Sequence, residues 1–259
     1  MTAPITKAQP PRLEPFRWSL RSVAATDVGR TRARNEDRFV CDGTLQLYGV
    51  ADGVGGLPAG ADAAELAVTS LRRRVTAAGS AIDLAAITRD LNAEVAQAGT
   101  RISPRLGMAT TLTWGVFRGE ALHLAHVGDS RCYCLRSGVL EALSSDHSVE
   151  NEARQRRERG EVVFFSDRDR NAITRYIGQP EAPDVDLLVR PVQPGDGYLF
   201  CTDGICRAMA DADLKEILGW GLAPDHILDG LINLANARGG RDNATAVLVF
   251  VGSAATTRK

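Results

Sequence analysis

The sequence predicts a mixed α/β domain: two β-sheets flanked by helices. Three observations carry this. The 259 residues are 44% hydrophobic and 24% charged, enough chain and apolar content for one sizeable core. Strand-like and helix-like blocks alternate in the order β, α, β, α, β. The last block, Ala244 to Val251, is an unbroken apolar run of the kind found in a strand buried on both faces.

In chain order, residues 1–19 are proline-rich, with Pro4, Pro10, Pro11 and Pro15, and read as a flexible leader with no signal-peptide pattern. Strands are expected at Val23–Thr26, Arg38–Cys41 and Leu45–Ala51, with Asp42-Gly43 as a hairpin turn. Ala61–Ala77 and Ile82–Gln97 carry helical spacing of apolar residues. Strands return at Thr110–Phe117, Ala121–Val127, Arg131–Leu135 and Val139–Leu143. Residues 148–172 hold six arginines and six acids, so they cancel in charge; a protruding, internally paired segment with a short helix is expected. Strands at Leu187–Val192 and Tyr198–Thr202 precede helices at Asp211–Trp220 and Pro224–Ala237, the second opened by a proline at its first turn. The domain spans 20–252, and 253–259 form a tail.

Bulk properties exclude several functions. A net charge of -1 offers no global attraction to nucleic acid or anionic membrane. No apolar run approaches the roughly 20 residues that span a bilayer, so membrane insertion is not expected. Five cysteines without a C-x-x-C pair point to free thiols in a reducing, cytoplasmic compartment. Cys132 and Cys134 share one face of a strand and read as core packing.

The chemistry is concentrated in acids at strand ends: Glu36-Asp37, Asp52-Gly53, Asp129, Asp203-Gly204 and Asp242-Asn243. A carboxylate at the end of a buried strand is costly unless it is paired or metal-bound. Several converging there raise one another's pKa values, and a hard divalent cation relieves both problems. Asp-Gly is also a turn dipeptide; Asp42 and Asp196 read as turns and Asp229 lies within a helix. The link Val54–Gly60 after Asp52-Gly53 is too long for a hairpin and lacks the lysine of a nucleotide P-loop. Taken alone, Arg32 among Arg30, Arg34 and Arg38 reads as a surface charge.

Eight segments in order resemble the motifs of the type 2C, metal-dependent protein phosphatases (the PPM family), in the wording of their stand-alone bacterial members. They are Thr26–Asp37 (TDVGRTRARNED), Val50–Gly56, Gly107–Thr111, His126–Arg131, Ser145–Ser148, Ile173–Gly178, Cys201–Gly204 and Gly240–Thr245. The resemblance implies a four-layer α-β-β-α sandwich with two mostly antiparallel sheets and a metal cleft at one end. It implies a phosphoserine/phosphothreonine phosphatase acting by in-line attack of a hydroxide held by two ions, Mn2+ or Mg2+. Asp52 would bridge both ions, with the Gly53 carbonyl, Asp203 and Asp242 on one; Asp37 would hold the other, and Glu36 would act through water. Asp129 with Asp203 matches the place of a third ion, and Arg32 the arginine that grips the phosphate. Phosphorylated proteins and a cognate kinase would be the partners, and 148–172 aligns with the family's flap beside the cleft.

Val54 stands where some members carry a histidine proposed as general acid; His126 and His147 read as structural. Two other readings stand beside this one. Cys201 to Arg207 fits C-x5-R, the pattern of cysteine-dependent phosphatases, but would place Asp203 inside an anion cradle. A catalytically inactive binding module would be favoured by lost ligands, whereas Asp37, Asp52, Asp203 and Asp242 are all present.

Overall fold

The structure, a computed structural model, describes residues 12–57 and 59–254. The elements are β1 (Trp18–Asp27), β2 (Asp37–Asp42), β3 (Leu47–Asp52), α1 (Gly60–Ala78), α2 (Leu84–Ile102), β4 (Leu112–Arg118), β5 (Ala121–Val127) and β6 (Arg131–Arg136), then β7 (Val139–Ala142), α3 (Val149–Glu158), β8 (Asp186–Pro191), β9 (Gly197–Cys201), α4 (Asp203–Cys206), α5 (Asp211–Leu218), α6 (Pro224–Ala237) and β10 (Ala244–Ala254). They form two five-stranded sheets, ordered β1-β10-β9-β6-β7 and β2-β3-β4-β5-β8. Every strand pairing between these elements is antiparallel.

Period-two alternation explains the layering. In β3, Leu47 and Ala51 face α1 and α2, while Tyr48 and Val50 face the second sheet. In β10, Ala244, Ala246 and Leu248 pack toward α5 and α6, and Val247, Val249 and Val251 fill the space between the sheets. Both faces of these central strands are therefore covered, which is why their sequences read as continuous apolar runs. The result is the four-layer α-β-β-α sandwich. Cys132 and Cys134 lie in the inter-sheet layer, as their spacing predicts.

Two expectations need correction. The leader is not free over its described part. Gly119 N donates to Glu14 O at 2.7 Å, Leu13 N to Ser80 O at 2.8 Å, and the Phe16 ring meets Phe117 edge-on at 5.3 Å. β1 starts at Trp18 rather than Val23, because as an edge strand it alternates inward Trp18 and Leu20 with exposed Ser19 and Arg21. Residues 1–11 lie outside the described residues, as do 255–259 of the expected tail. α4 is a single turn that the sequence did not suggest, and β10 runs on to Ala254. Asp42 and Asp196 are turn residues as expected. Asp42 Oδ1 accepts from Thr44 N at 3.1 Å, and Asp196 holds the Arg136 guanidinium at 2.7 and 2.6 Å.

Candidate metal centre

The acids singled out in the sequence meet at one end of the sandwich. Asp37 opens β2 and Asp52 closes β3, directly opposite each other in the hairpin. Asp129 lies in the β5–β6 turn, Asp203 follows β9 at the start of α4, and Asp242 precedes β10. One sheet thus supplies two carboxylates, the other supplies two, and the turn joining the sheets supplies the fifth. Asp52, Asp129, Asp203 and Asp242 line a cleft of about 420 Å³ with Arg32, Glu36, Gly53, Val54 and, from the segment after α3, Asn171–Ile173, while Asp37 is buried behind Asp52.

Local hydrogen bonds fix these positions. The Asp52 carbonyl accepts from Thr111 N and Thr110 Oγ1, both at 2.8 Å, and Asp52 N donates to Thr111 Oγ1 at 3.0 Å. Asn243 Oδ1 accepts from Glu36 N at 2.8 Å while its Nδ2 donates to Val28 O and Arg34 O, tying the Arg32 loop to β10. Glycine is required at two points. A Cβ on Gly53 would stand 2.5 Å from the Gly60 carbonyl carbon, and one on Gly204 would stand 1.9 Å from the Asn243 oxygen. Both turns press backbone against backbone to bring their aspartates into the cleft.

The electrostatics are those of uncompensated charge. Asp37 is 1% exposed, and burial pushes its carboxyl up to about 7, against the pull of the Thr245 and Thr202 hydroxyls. Burial raises Asp52 well above the usual carboxylate range, with Asp37, Asp203, Asp129 and Asp242 adding repulsion. Burial also raises Asp203, opposed by Arg207. Asp129 is pushed up to about 7 by burial and by Asp203, with Arg207 opposing. Asp52 lies within hydrogen-bonding reach of both Asp37 and Asp203. Yet carboxylates only accept, and Asp37 Oδ1 and Asp203 Oδ1 are buried without a donor. Only a proton or a cation can lie between such oxygens, and an all-oxygen donor set suits a hard divalent ion. Among the described residues no three histidine, cysteine or carboxylate side chains are drawn into a closed ligand set. The outer carboxylates turn instead to arginines: Arg32 Nη2 donates to Asp242 Oδ2 at 2.7 Å, and Arg207 Nη2 to Asp129 Oδ2.

Other candidates fall away. Thr113 Oγ1 lies 2.8 Å from His126 Nδ1, and Ser145 O lies 3.1 Å from Nε2 of the same ring. His147 Nδ1 accepts from Gly128 N, and its Nε2 faces Asp186 at 3.1 Å; both rings are buried away from the cleft and support its β5–β6 turn. Cys201 is fully buried in the apolar layer beneath α4, so it cannot serve as an exposed nucleophile. The charged segment after Ser148 is internally paired as expected, through Arg156–Glu161, Arg154–Glu158 and Arg170–Glu150. Sequence reasoning missed Asn243 as the organiser of the Arg32 loop and Arg207 as the partner of Asp129. The second had one visible signal: Asp203 and Arg207 are four apart, on one face of a helical turn.

A four-layer sandwich with an acid-lined cleft where its sheets end defines the class of metal-dependent protein phosphatases. The protein phosphatase 2C family profile matches residues 29–239. The chain is 32% identical over 234 residues to the serine/threonine phosphatase Stp of Listeria innocua, covering 86% of this chain and 93% of that one. It superposes on Stp1 of Staphylococcus aureus with a TM-score of 0.83 at 26% identity, covering 94% of this chain and 99% of that one. The catalytic domain of PstP, solved in complex with 2 manganese ions, gives a TM-score of 0.76 at 33% identity, covering 90% and 99%. The chain belongs to the protein phosphatase 2C family and is a serine/threonine protein phosphatase.

Proposed function

We propose that this phosphatase uses two divalent ions, Mn2+ or Mg2+, held between Asp37, Asp52, Asp203 and Asp242, with the Gly53 carbonyl on one ion and Glu36 acting through water. The observation that carries this reading is the pair of buried, donorless oxygens, Asp37 Oδ1 and Asp203 Oδ1, on two carboxyls that both neighbour Asp52. When bound, such ions supply Lewis acidity: they draw charge from phosphoryl oxygens and make water a stronger acid.

The remaining work falls to the chain. Arg32 stands at the cleft wall with its side chain 45% exposed, tethered to Asp242, so its planar fork faces an incoming phosphate already oriented. Val54 closes the mouth without offering a proton. The phosphorylated side chain enters beside Asn171–Ile173, so the segment after α3 is the wall a protein substrate meets first. Phosphoserine and phosphothreonine proteins are the substrates, and a kinase acting on the same proteins is the expected counterpart. Five free thiols support a cytoplasmic location, and among the described residues no helix is long and apolar enough to cross a membrane.

The test is phosphate release from a phosphothreonine peptide with Mn2+, with EDTA, and in Asp52→Ala. Loss of turnover in the last two, with circular dichroism unchanged, is expected. Full activity in EDTA would remove the two-ion reading.

A further inference from the structure

Asp129 and Asp203 face each other across the cleft floor, and Arg207 lies between them. From the single turn of α4 its guanidinium reaches both, Nη1 standing 3.2 Å from Asp203 Oδ2 and Nη2 donating to Asp129 Oδ2. We infer that Arg207 is a resident cation filling the position between Asp129 and Asp203, so that no third divalent ion binds there. The inference rests on the two-ion reading above.

The oxygens of Asp203 divide the site in two. Oδ2 is ion-paired with Arg207 at 3.2 Å, whereas Oδ1 is buried without a donor, and the carboxyl lies beside Asp52. Asp129 is 3% exposed, and among the described residues Arg207 is its only side-chain donor. A carboxylate so deeply buried needs a cation, and here the chain itself provides one. A guanidinium remains charged at any working pH, and its fork spans two carboxylates as a single ion would. A divalent ion entering this position would have to expel the guanidinium from between both acids. Among the described residues no arginine, lysine or histidine side chain is ion-paired with Asp37 or Asp52, and Arg32, which acts on Asp52 from a distance, is paired with Asp242 instead, which leaves the Asp37–Asp52–Asp203 side for metal.

Counting bound ions tests this directly. Mn2+ is titrated into the full chain to millimolar concentration, with free Mn2+ read by electron paramagnetic resonance and bound Mn2+ located by anomalous scattering in soaked crystals. Wild type is expected to bind two ions, and Arg207→Gln a third, weaker one between Asp129 and Asp203. Arg207→Lys keeps the charge and should remain at two. Adding Asp129→Asn to Arg207→Gln should return the count to two. Melting curves establish that each variant is folded. A third ion in wild type, or a folded Arg207→Gln that stops at two, overturns the inference and leaves the two-ion reading intact. No bound Mn2+ in any of the proteins overturns both.

Discussion

Replacing Asp37 by asparagine should stabilise the metal-free protein at alkaline pH while weakening its stabilisation by Mn2+. Asp37 Oδ2 accepts from Thr202 Oγ1 at 2.8 Å, its Oδ1 has no donor, and Asp52 stands directly across the hairpin. Burial holds the carboxyl at about 7 in the folded chain, against an ordinary value of 3.8. The folded state therefore binds this proton more tightly than the unfolded state does. The stability it contributes is complete below pH 3.8 and is lost as pH rises to about 7. At about 1.36 kcal/mol per pH unit the loss is on the order of 4 kcal/mol. For a domain of this size that corresponds to roughly 10 °C in melting temperature. An asparagine keeps an acceptor for Thr202 and turns an amide donor toward Asp52. Melting curves in EDTA from pH 5 to 8.5 should show Asp37→Asn above wild type at the alkaline end, the gap closing as pH falls. Added Mn2+ should raise wild type more than the variant, which keeps only the ion held by Asp52, Asp203 and Asp242. A variant that melts at or below wild type at pH 8 in EDTA, yet gains as much from Mn2+, would refute both the charge argument and the placement of metal at Asp37.

Arg32→Ala should lower kcat/KM by a factor corresponding to about 1.5–3 kcal/mol, the range for a charge-assisted hydrogen bond, while Mn2+ affinity measured calorimetrically stays within a few-fold; wild-type kcat/KM would return Arg32 to the role of a surface charge. Cys201→Ser should keep most of the activity, because the thiol is enclosed in apolar packing, whereas Asp203→Asn should be inactive; the opposite pair of results would transfer the chemistry to the cysteine. His126 is held neutral by burial, its pKa pushed down to about 4, so its contribution is present above its ordinary value of 6.5 and lost as pH falls toward 4. His126→Asn should accordingly flatten the acid limb of the stability curve, measured by urea unfolding between pH 7 and 4, and an unchanged limb would place the acid sensitivity elsewhere.

How much of this was legible in the sequence depends on how local each signal is. β10 reads as a buried strand because both of its faces are covered, so no polar residue interrupts Ala244 to Val251. Asp52, Asp129, Asp203 and Asp242 were legible because each follows or precedes an apolar strand, and strand ends on one side of two packed sheets must come together. The start of β1 was not legible: on an edge strand Ser19 and Arg21 face solvent and break the apolar run that marks the central strands. α4 was hidden for a different reason. One turn is too short to carry helical periodicity, and it forms here because β9 delivers Asp203 against β10 with Gly204 pressed on Asn243.

Arg207 shows where a linear reading stops. Its spacing from Cys201 fits a cysteine phosphatase loop, and its four-residue spacing from Asp203 fits an ion pair across one helical turn. Only the second pairing forms, because Cys201 ends a strand facing into the apolar layer while Asp203 and Arg207 share the open face of the next turn. The partner that decides its role, Asp129, is 78 residues earlier in the chain and belongs to the turn that joins the two sheets. No local window contains both residues, and nothing in either segment distinguishes an aspartate left for metal from one already matched by an arginine. That distinction comes from the packing of the β5–β6 turn against α4, and it makes Arg207 the residue whose substitution bears most directly on how many ions this phosphatase holds.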